Sequence, residues 1–212
     1  MLSKIIEKLR QGANKSGKAY LVKDLVADRK ILLILESPHK DEIEHEAPLA
    51  GRSGKSVTKV LKDVLSIDEA DKDMAFGRLV KAGKVKKIGL MNISNLPLQM
   101  TAYDYEAFCP ELRKVLGIFE TIRSNPKKRA EKPANDDINK IIDILSDDFN
   151  RRIACLDDNV IIILCGNFVQ TFWKHYVKNH FPAIIEVPHP SYGNWEKSRY
   201  SRQIKNIIEI IK

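Results

Sequence analysis

Ile31-Leu32-Leu33-Ile34-Leu35-Glu36-Ser37-Pro38-His39 is the stretch on which the fold turns. Five apolar residues run without alternation, and a carboxylate, a hydroxyl, a proline and an imidazole follow at once. A short continuous apolar run reads as a strand covered on both faces, the usual state of parallel strands in α/β proteins. Ala183-Ile184-Ile185-Glu186-Val187, followed by Pro188-His189-Pro190-Ser191, has the same form near the other end of the chain. In open α/β sheets ligands bind outside the carboxyl ends of the strands. Glu36 and His189 are therefore expected to meet at one site.

Two further apolar runs, Lys87 to Met91 and Val160 to Leu164, read as buried strands. Between the strands lie helical patterns. Val57, Val60, Leu61, Val64 and Leu65 share one helical face, as do Ile138, Ile141, Ile142, Leu145 and Phe149. Tyr200, Ile204, Ile207, Ile208 and Ile211 mark a last helix, and Phe168, Phe172 and Trp173 recur at helical spacing as core. Strands alternating with helices predict an α/β fold: a three-layer α/β/α sandwich on a central four-stranded parallel sheet with right-handed crossovers.

One domain is expected over residues 1–212, with a helical segment at 1–29 packed on it through Leu2, Ile5, Ile6 and Leu9. Ser124 to Asp137 carries Pro126, Pro133 and dense charge, and reads as an exposed loop. Asn135 or Asp136 is placed to cap the helix that follows.

A chain of 212 residues is long enough for a sizeable core. No apolar run approaches the roughly 18 residues of a membrane span. The amphipathic start, with Glu7 inside it, does not read as a signal peptide. Cys109, Cys155 and Cys165 show no C-x-x-C spacing, so neither a zinc ribbon nor a disulfide framework is indicated. A cytoplasmic monomer is expected. The net charge of +8 fits a phosphate-bearing partner, although Lys127-Lys128-Arg129 and Lys132 hold part of it in the charged loop.

Gly51-Arg52-Ser53-Gly54-Lys55-Ser56 resembles the end of a phosphate-binding P-loop. That motif needs a glycine where Leu49 stands, and it must leave a strand directly. The strand ends near Leu35, so the P-loop reading fails. Gly51 and Gly54 can still bring backbone amides close to a phosphate or a base.

These residues together resemble the uracil-DNA glycosylase superfamily. Glu36-Ser37-Pro38-His39-Lys40-Asp41-Glu42, then Ala47-Pro48-Leu49-Ala50-Gly51-Arg52-Ser53-Gly54, is similar to its first motif. The nearest form is the bacterial and archaeal family 4 type, Gly-Glu-Ala-Pro-Gly followed by Pro-Phe-Val-Gly-Arg-Ser/Ala-Gly. Asn92 after the second strand, Gly166 after the third, and His189-Pro190-Ser191-Tyr192 after the fourth agree in order. There are departures. Leu35 replaces the opening glycine, His39 a small residue, and Leu49 the aromatic that stacks on the base. Only Cys109 sits near a position of the family 4 iron–sulfur ligands, and one cysteine cannot hold such a cluster. No cofactor and no metal are expected.

The resemblance implies a DNA glycosylase-like hydrolase that cleaves the N-glycosidic bond of uracil or another deaminated base, with DNA as partner and no membrane. Glu36 is the expected carboxylate that orients water or stabilises a positively charged sugar; a Glu36–Arg52 ion pair is the structural alternative. His189 is the expected donor to the base carbonyl, on a backbone restricted by its flanking prolines. Asn92 has the donors and acceptor to read a pyrimidine edge. Ser37, Pro38, Leu49, Gly51, Arg52, Ser53, Pro190, Ser191 and Tyr192 complete the expected base- or DNA-binding set. Tyr192 and Trp195 read equally as rings for exposed bases or as aromatics packing their loop onto the sheet. His39, His45, Asp41, Glu42, Glu44 and Glu46 read as a solvated acidic loop. The alternative function is a nucleic-acid or nucleotide-binding module of the same fold that has lost catalysis; a small-molecule α/β hydrolase or transferase is a third reading.

Overall fold

A computed structural model describes residues 2–124 and 135–212. Lys127-Lys128-Arg129 and Lys132 lie outside the described residues. Four strands form one parallel sheet in the order β2-β1-β3-β4. They are β1 (Ile31–Leu35), β2 (Ile88–Asn92), β3 (Ile161–Cys165) and β4 (Ala183–Val187). β1 and β2 are buried throughout, which is why their sequences do not alternate. β2 and β3 each begin and end one residue later than their apolar runs.

Helices cover both faces. One layer holds α1 (Leu2–Gln11), α5 (Pro110–Ser124), α6 (Asp136–Ile153) and α7 (Asn167–Tyr176), packed on Leu32, Ile34, Met91, Ile93, Ile162 and Leu164. The other holds α3 (Arg52–Leu61), α4 (Phe76–Lys81) and α8 (Ser201–Ile211), packed on Leu33, Leu35, Leu90 and Ile163. The short α2 (Lys40–His45) precedes α3. The predicted three-layer parallel α/β sandwich is the observed fold. Asn135 caps α6 by accepting from the Asp137 amide at 2.9 Å.

The chain leaves β1 for one side of the sheet and later for the other, so the order reverses between β2 and β3. The loops after β1 and β3 diverge there, at the carboxyl edge, which is where such sheets take ligands.

The first 29 residues differ from a continuous helical segment. The helix stops at Gln11, and Gly12 and Gly17 lead into irregular backbone. Leu25 then forms an antiparallel bridge with Leu90, exchanging hydrogen bonds of 2.8 and 2.9 Å. That bridge covers the outer edge of β2, whose N–H and C=O groups would otherwise need other partners. α5 has no counterpart among the predicted helices, although Val115, Leu116, Phe119 and Ile122 are buried at helical spacing.

Arg152 locks this edge. Its guanidinium donates to Asp24 at 2.6 Å, to the Asn92 and Ile93 carbonyls at 3.0 and 2.7 Å, and to Asp148 at 3.0 Å. The Arg152 and Asp24 side chains are only 17% and 9% exposed. Burial raises the Asp24 carboxyl above its ordinary range, and Arg152 opposes that shift. Removing one member of a buried pair strands the other charge. Arg152→Leu is expected to destabilise the protein by about 3–5 kcal/mol in urea unfolding. The Asp24→Asn/Arg152→Leu double variant should lose less than the two single losses combined.

Candidate functional site

Glu36 emerges directly from β1, and its carboxylate accepts from Arg123 Nε at 2.7 Å. Arg123 stands near the end of α5 and also donates to Glu120 at 2.9 Å. Glu120 in turn accepts from the Met100 amide at 3.1 Å, so the pair is anchored to the 100–102 turn. Arg52, the alternative partner, is exposed and makes no ion pair among the described residues. Burial pushes the Glu36 carboxyl up, while the adjacent guanidinium holds it down.

His189 stands two residues beyond β4. Its Nδ1 accepts from the Ser191 amide at 3.1 Å, which places the ring proton on Nε2. Asn194 donates to the His189 carbonyl at 3.0 Å. Burial pushes the imidazole down to about 4, and the positive charge of Arg123 adds to the effect. The ring is therefore a neutral donor at neutral pH. Arg123 reaches both ends of the site: it bonds Glu36 and its field acts on His189.

Gly166 makes room for that ring. It has φ 96° and ψ 163°, a region that side chains almost never occupy. A Cβ built there would lie 2.7 Å from the His189 Cβ. The backbone of Gly166 also donates to Val187 at 2.8 Å, fastening the ends of β3 and β4.

Asn92 closes β2. It is in register with Leu35 and falls on the α3/α4 face of the sheet. Its backbone is held by Asp24 and Arg152. Its side chain is fully buried, and neither Oδ1 nor Nδ2 has a hydrogen-bond partner. Each unpaired buried polar group costs about 1–3 kcal/mol.

The 47–51 loop seals this face. Leu49 is 2% exposed and takes φ 58°, the left-handed region that a non-glycine residue enters at a cost. Gly54 lies so close beneath it that a Cβ would sit 1.9 Å from the Leu49 carbonyl oxygen. Glu42 clamps the turn by accepting from the Leu49 amide at 2.5 Å and the His39 amide at 2.7 Å. Burial raises its carboxyl to about 7 against those two amides. This corrects the reading of residues 39–46 as a solvated acidic loop. Lys40–His45 is helical, and Glu42 turns inward while Asp41, Glu44 and Glu46 stay exposed.

The remaining expected residues fall into two groups. Ser37 accepts from the Leu98 amide at 3.2 Å, and Pro38 and Pro190 are buried. Gly51, Arg52 and Ser53 open α3, and Ser191 and Tyr192 follow His189. Tyr192 stands 91% exposed at φ 56°. Trp195 is core, its Nε1 donating to the Pro188 carbonyl at 2.8 Å, so it offers no ring to a partner. Arg123 and Glu42 were missed. The apolar spacing of α5 would have flagged the first, whereas nothing local separates Glu42 from its acidic neighbours.

Among the described residues no group of three or more His, Cys, Asp or Glu side chains converges to hold a metal ion. Cys109 and Cys155 are exposed, and Cys165 is a buried thiol pushed far up by desolvation. No helix among the described residues is long and apolar enough to cross a membrane.

The parallel α/β sandwich carries Glu36, Asn92 and His189 at or just beyond the carboxyl ends of three of its strands, with the Asn92 side chain enclosed. The family model of the Uracil DNA glycosylase superfamily matches residues 22–212, and the chain belongs to that superfamily. No curated protein matches it.

Two outcomes test this geometry. Gly166→Ala is expected to cost at least about 1–3 kcal/mol in unfolding free energy, because it enforces a backbone region reserved for glycine. His189 gives a pH signature. Its folded value of about 4 lies below the ordinary 6.5, so the unfolded chain binds the proton more readily. The stabilising preference for neutral imidazole is complete above pH 6.5 and is lost as pH falls toward 4. Urea unfolding at pH 4.5 and pH 7 should show a smaller acid loss in His189→Gln than in the parent protein.

Proposed function

We propose that the protein is a DNA glycosylase that hydrolyses the bond between C1′ and the ring nitrogen of uracil or another deaminated base. The observation that carries this reading is the fully buried, unpartnered amide of Asn92, one strand away from Glu36. An amide of this kind offers two donors and an acceptor, the complement of a pyrimidine edge. A bound base would satisfy groups that are otherwise unpaired.

The chemistry follows from the charges. Water oxygen bonds to C1′ as the bond to the base nitrogen breaks, the base leaves with the electron pair, and the proton that water sheds ends on the departing base. Glu36 orients that water or offsets positive charge on the sugar. His189 donates from Nε2 to the base carbonyl where negative charge grows. A neutral donor fixed by the Ser191 amide strengthens that bond without reorganisation. Arg123 supports both groups. It stabilises the ionised form of Glu36 and disfavours the protonated form of His189. Ser191, Gly51 and Ser53 are assigned to phosphates through backbone N–H or hydroxyl groups. Asn92 is enclosed, so a base reaches it only as the packing around Leu49 opens.

A second reading is a binding module of the same fold. Two observations favour it: Leu49 fills the core where relatives stack an aromatic on the base, and Glu36 is already neutralised by Arg123. The affinity to the family 4 type and the choice of base belong with these proposals.

Oligonucleotides carrying uracil, hypoxanthine or xanthine separate the two. Cleavage of one of them is expected, reduced about 10²–10⁴-fold in Glu36→Gln and about 10²–10³-fold in His189→Gln. Arg123→Gln should move the acid limb of the pH–rate profile upward, since it no longer opposes protonation of Glu36 or His189. DNA binding with no cleavage of any base would leave only the module.

A further inference from the structure

α3 presents a row of cations that the base site does not use. Arg52, Lys55, Lys59 and Lys62 recur at intervals of three and four, on one face of the helix. Ten residues of rise make that row roughly 15 Å long. Lys72, from the 69–71 turn, joins them in lining a groove of about 480 Å³. Two carboxylates, Asp73 and Glu196, share the groove with these five cations. Glu196 is occupied: it accepts from Ser56 Oγ at 2.9 Å and from Lys59 Nζ at 2.5 Å. Those bonds fasten the Ser191–Glu196 segment onto α3. Arg52, Lys55 and Lys62 make no ion pair among the described residues.

The position of the groove indicates its partner. α3 starts at Arg52, capped by Gly51, directly after the 47–51 loop, and its far end carries Lys59 and Lys62. Gly193 lines the groove, and its neighbour Tyr192 stands beside it almost wholly exposed. An apolar ring beside a row of cations, of which Arg52, Lys55 and Lys62 are unpaired among the described residues, suits a polymer with bases at one side and evenly spaced phosphates at the other. At 3.4 Å per nucleotide step the row spans about four to five steps of one strand. A lipid surface would ask for a broad apolar face beside the charge, and the apolar side of α3 is buried in the core.

We propose that the α3 groove is the track for the phosphate backbone of duplex DNA flanking the target base, with Lys55 and Lys62 as its principal phosphate contacts. This rests on the DNA reading above. It assigns a surface outside the base site, and it makes the non-specific affinity a property of α3.

The test is the salt dependence of binding to a fluorescent duplex lacking any damaged base. Each phosphate neutralised contributes about 0.9 to the slope of log K against log salt. Lys55→Gln/Lys62→Gln should flatten the slope by about 1.8, whereas Lys55→Arg/Lys62→Arg should keep it. Lys174→Gln/Lys178→Gln, at the end of α7 on the other face of the sheet, should also keep it. Thermal melts confirm that the variants fold, since glutamine is nearly as good a helix former as lysine. Duplex binding with an unchanged slope in the α3 variant would overturn the groove and leave the DNA reading standing. No duplex binding by the parent protein would overturn both. Binding by the parent protein to phosphatidylserine vesicles but not to duplex would overturn the groove in favour of a lipid surface.

Discussion

The guanidinium of Arg152 is the constraint on which this structure most depends. It ties three pieces of chain together: Asp24 in the N-terminal segment, the carbonyls of residues 92 and 93 at the end of β2, and its own helix α6 through Asp148 one turn earlier. An edge strand ends poorly when its last backbone groups have only water to bond. Here they bond to a cation that is itself neutralised by two carboxylates. Asn92 is thereby fixed in backbone position while its side chain stays unpaired. A polar group can be left unsatisfied in a core only when its surroundings are held this firmly.

A second arginine organises the chemistry. Arg123 comes from α5, a helix on the far face of the sheet from the 47–51 loop, and it acts on the loops that follow β1 and β4. One cation there has opposite consequences for two neighbours. It favours the charged form of Glu36 and the neutral form of His189. In the proposed reaction, a carboxylate and an uncharged imidazole facing one leaving group would separate charge along the breaking glycosidic bond. The Glu42 clamp serves the other wall, where two amides at 2.5 and 2.7 Å hold a left-handed leucine in place. Its raised carboxyl shows that enclosure outweighs even those bonds.

The fold was legible because its signals are local. The apolar runs at 31–35 and 183–187 are the observed strands, and the helix of Ile138 to Phe149 buries every residue its periodicity nominated. α5 was overlooked although its period is present. The site was legible only in part. Glu36, Asn92 and His189 stand at strand ends, where their position follows from where each strand stops. Arg123 lies 87 residues beyond Glu36, and no spacing rule connects them. Glu42 looks like its exposed neighbours Asp41 and Glu44, and it differs only because Leu49 folds back over it. Tyr192 and Trp195 are three residues apart and have opposite fates, since one left-handed turn at 192–193 throws the first outward and leaves the second in the core.

Hydrophobic periodicity, strand-end polarity and motif order are properties of neighbouring residues, so composition and order alone carried the α/β class, the four strands and the superfamily resemblance. Partnership is a property of space. Which cation faces Glu36, whether Asn92 is satisfied, and whether Leu49 fills a pocket or a core depend on groups brought together by the packing of helices on the sheet. Electrostatic and hydrogen-bond energies act over a few ångströms, and those separations exist only once the chain has folded.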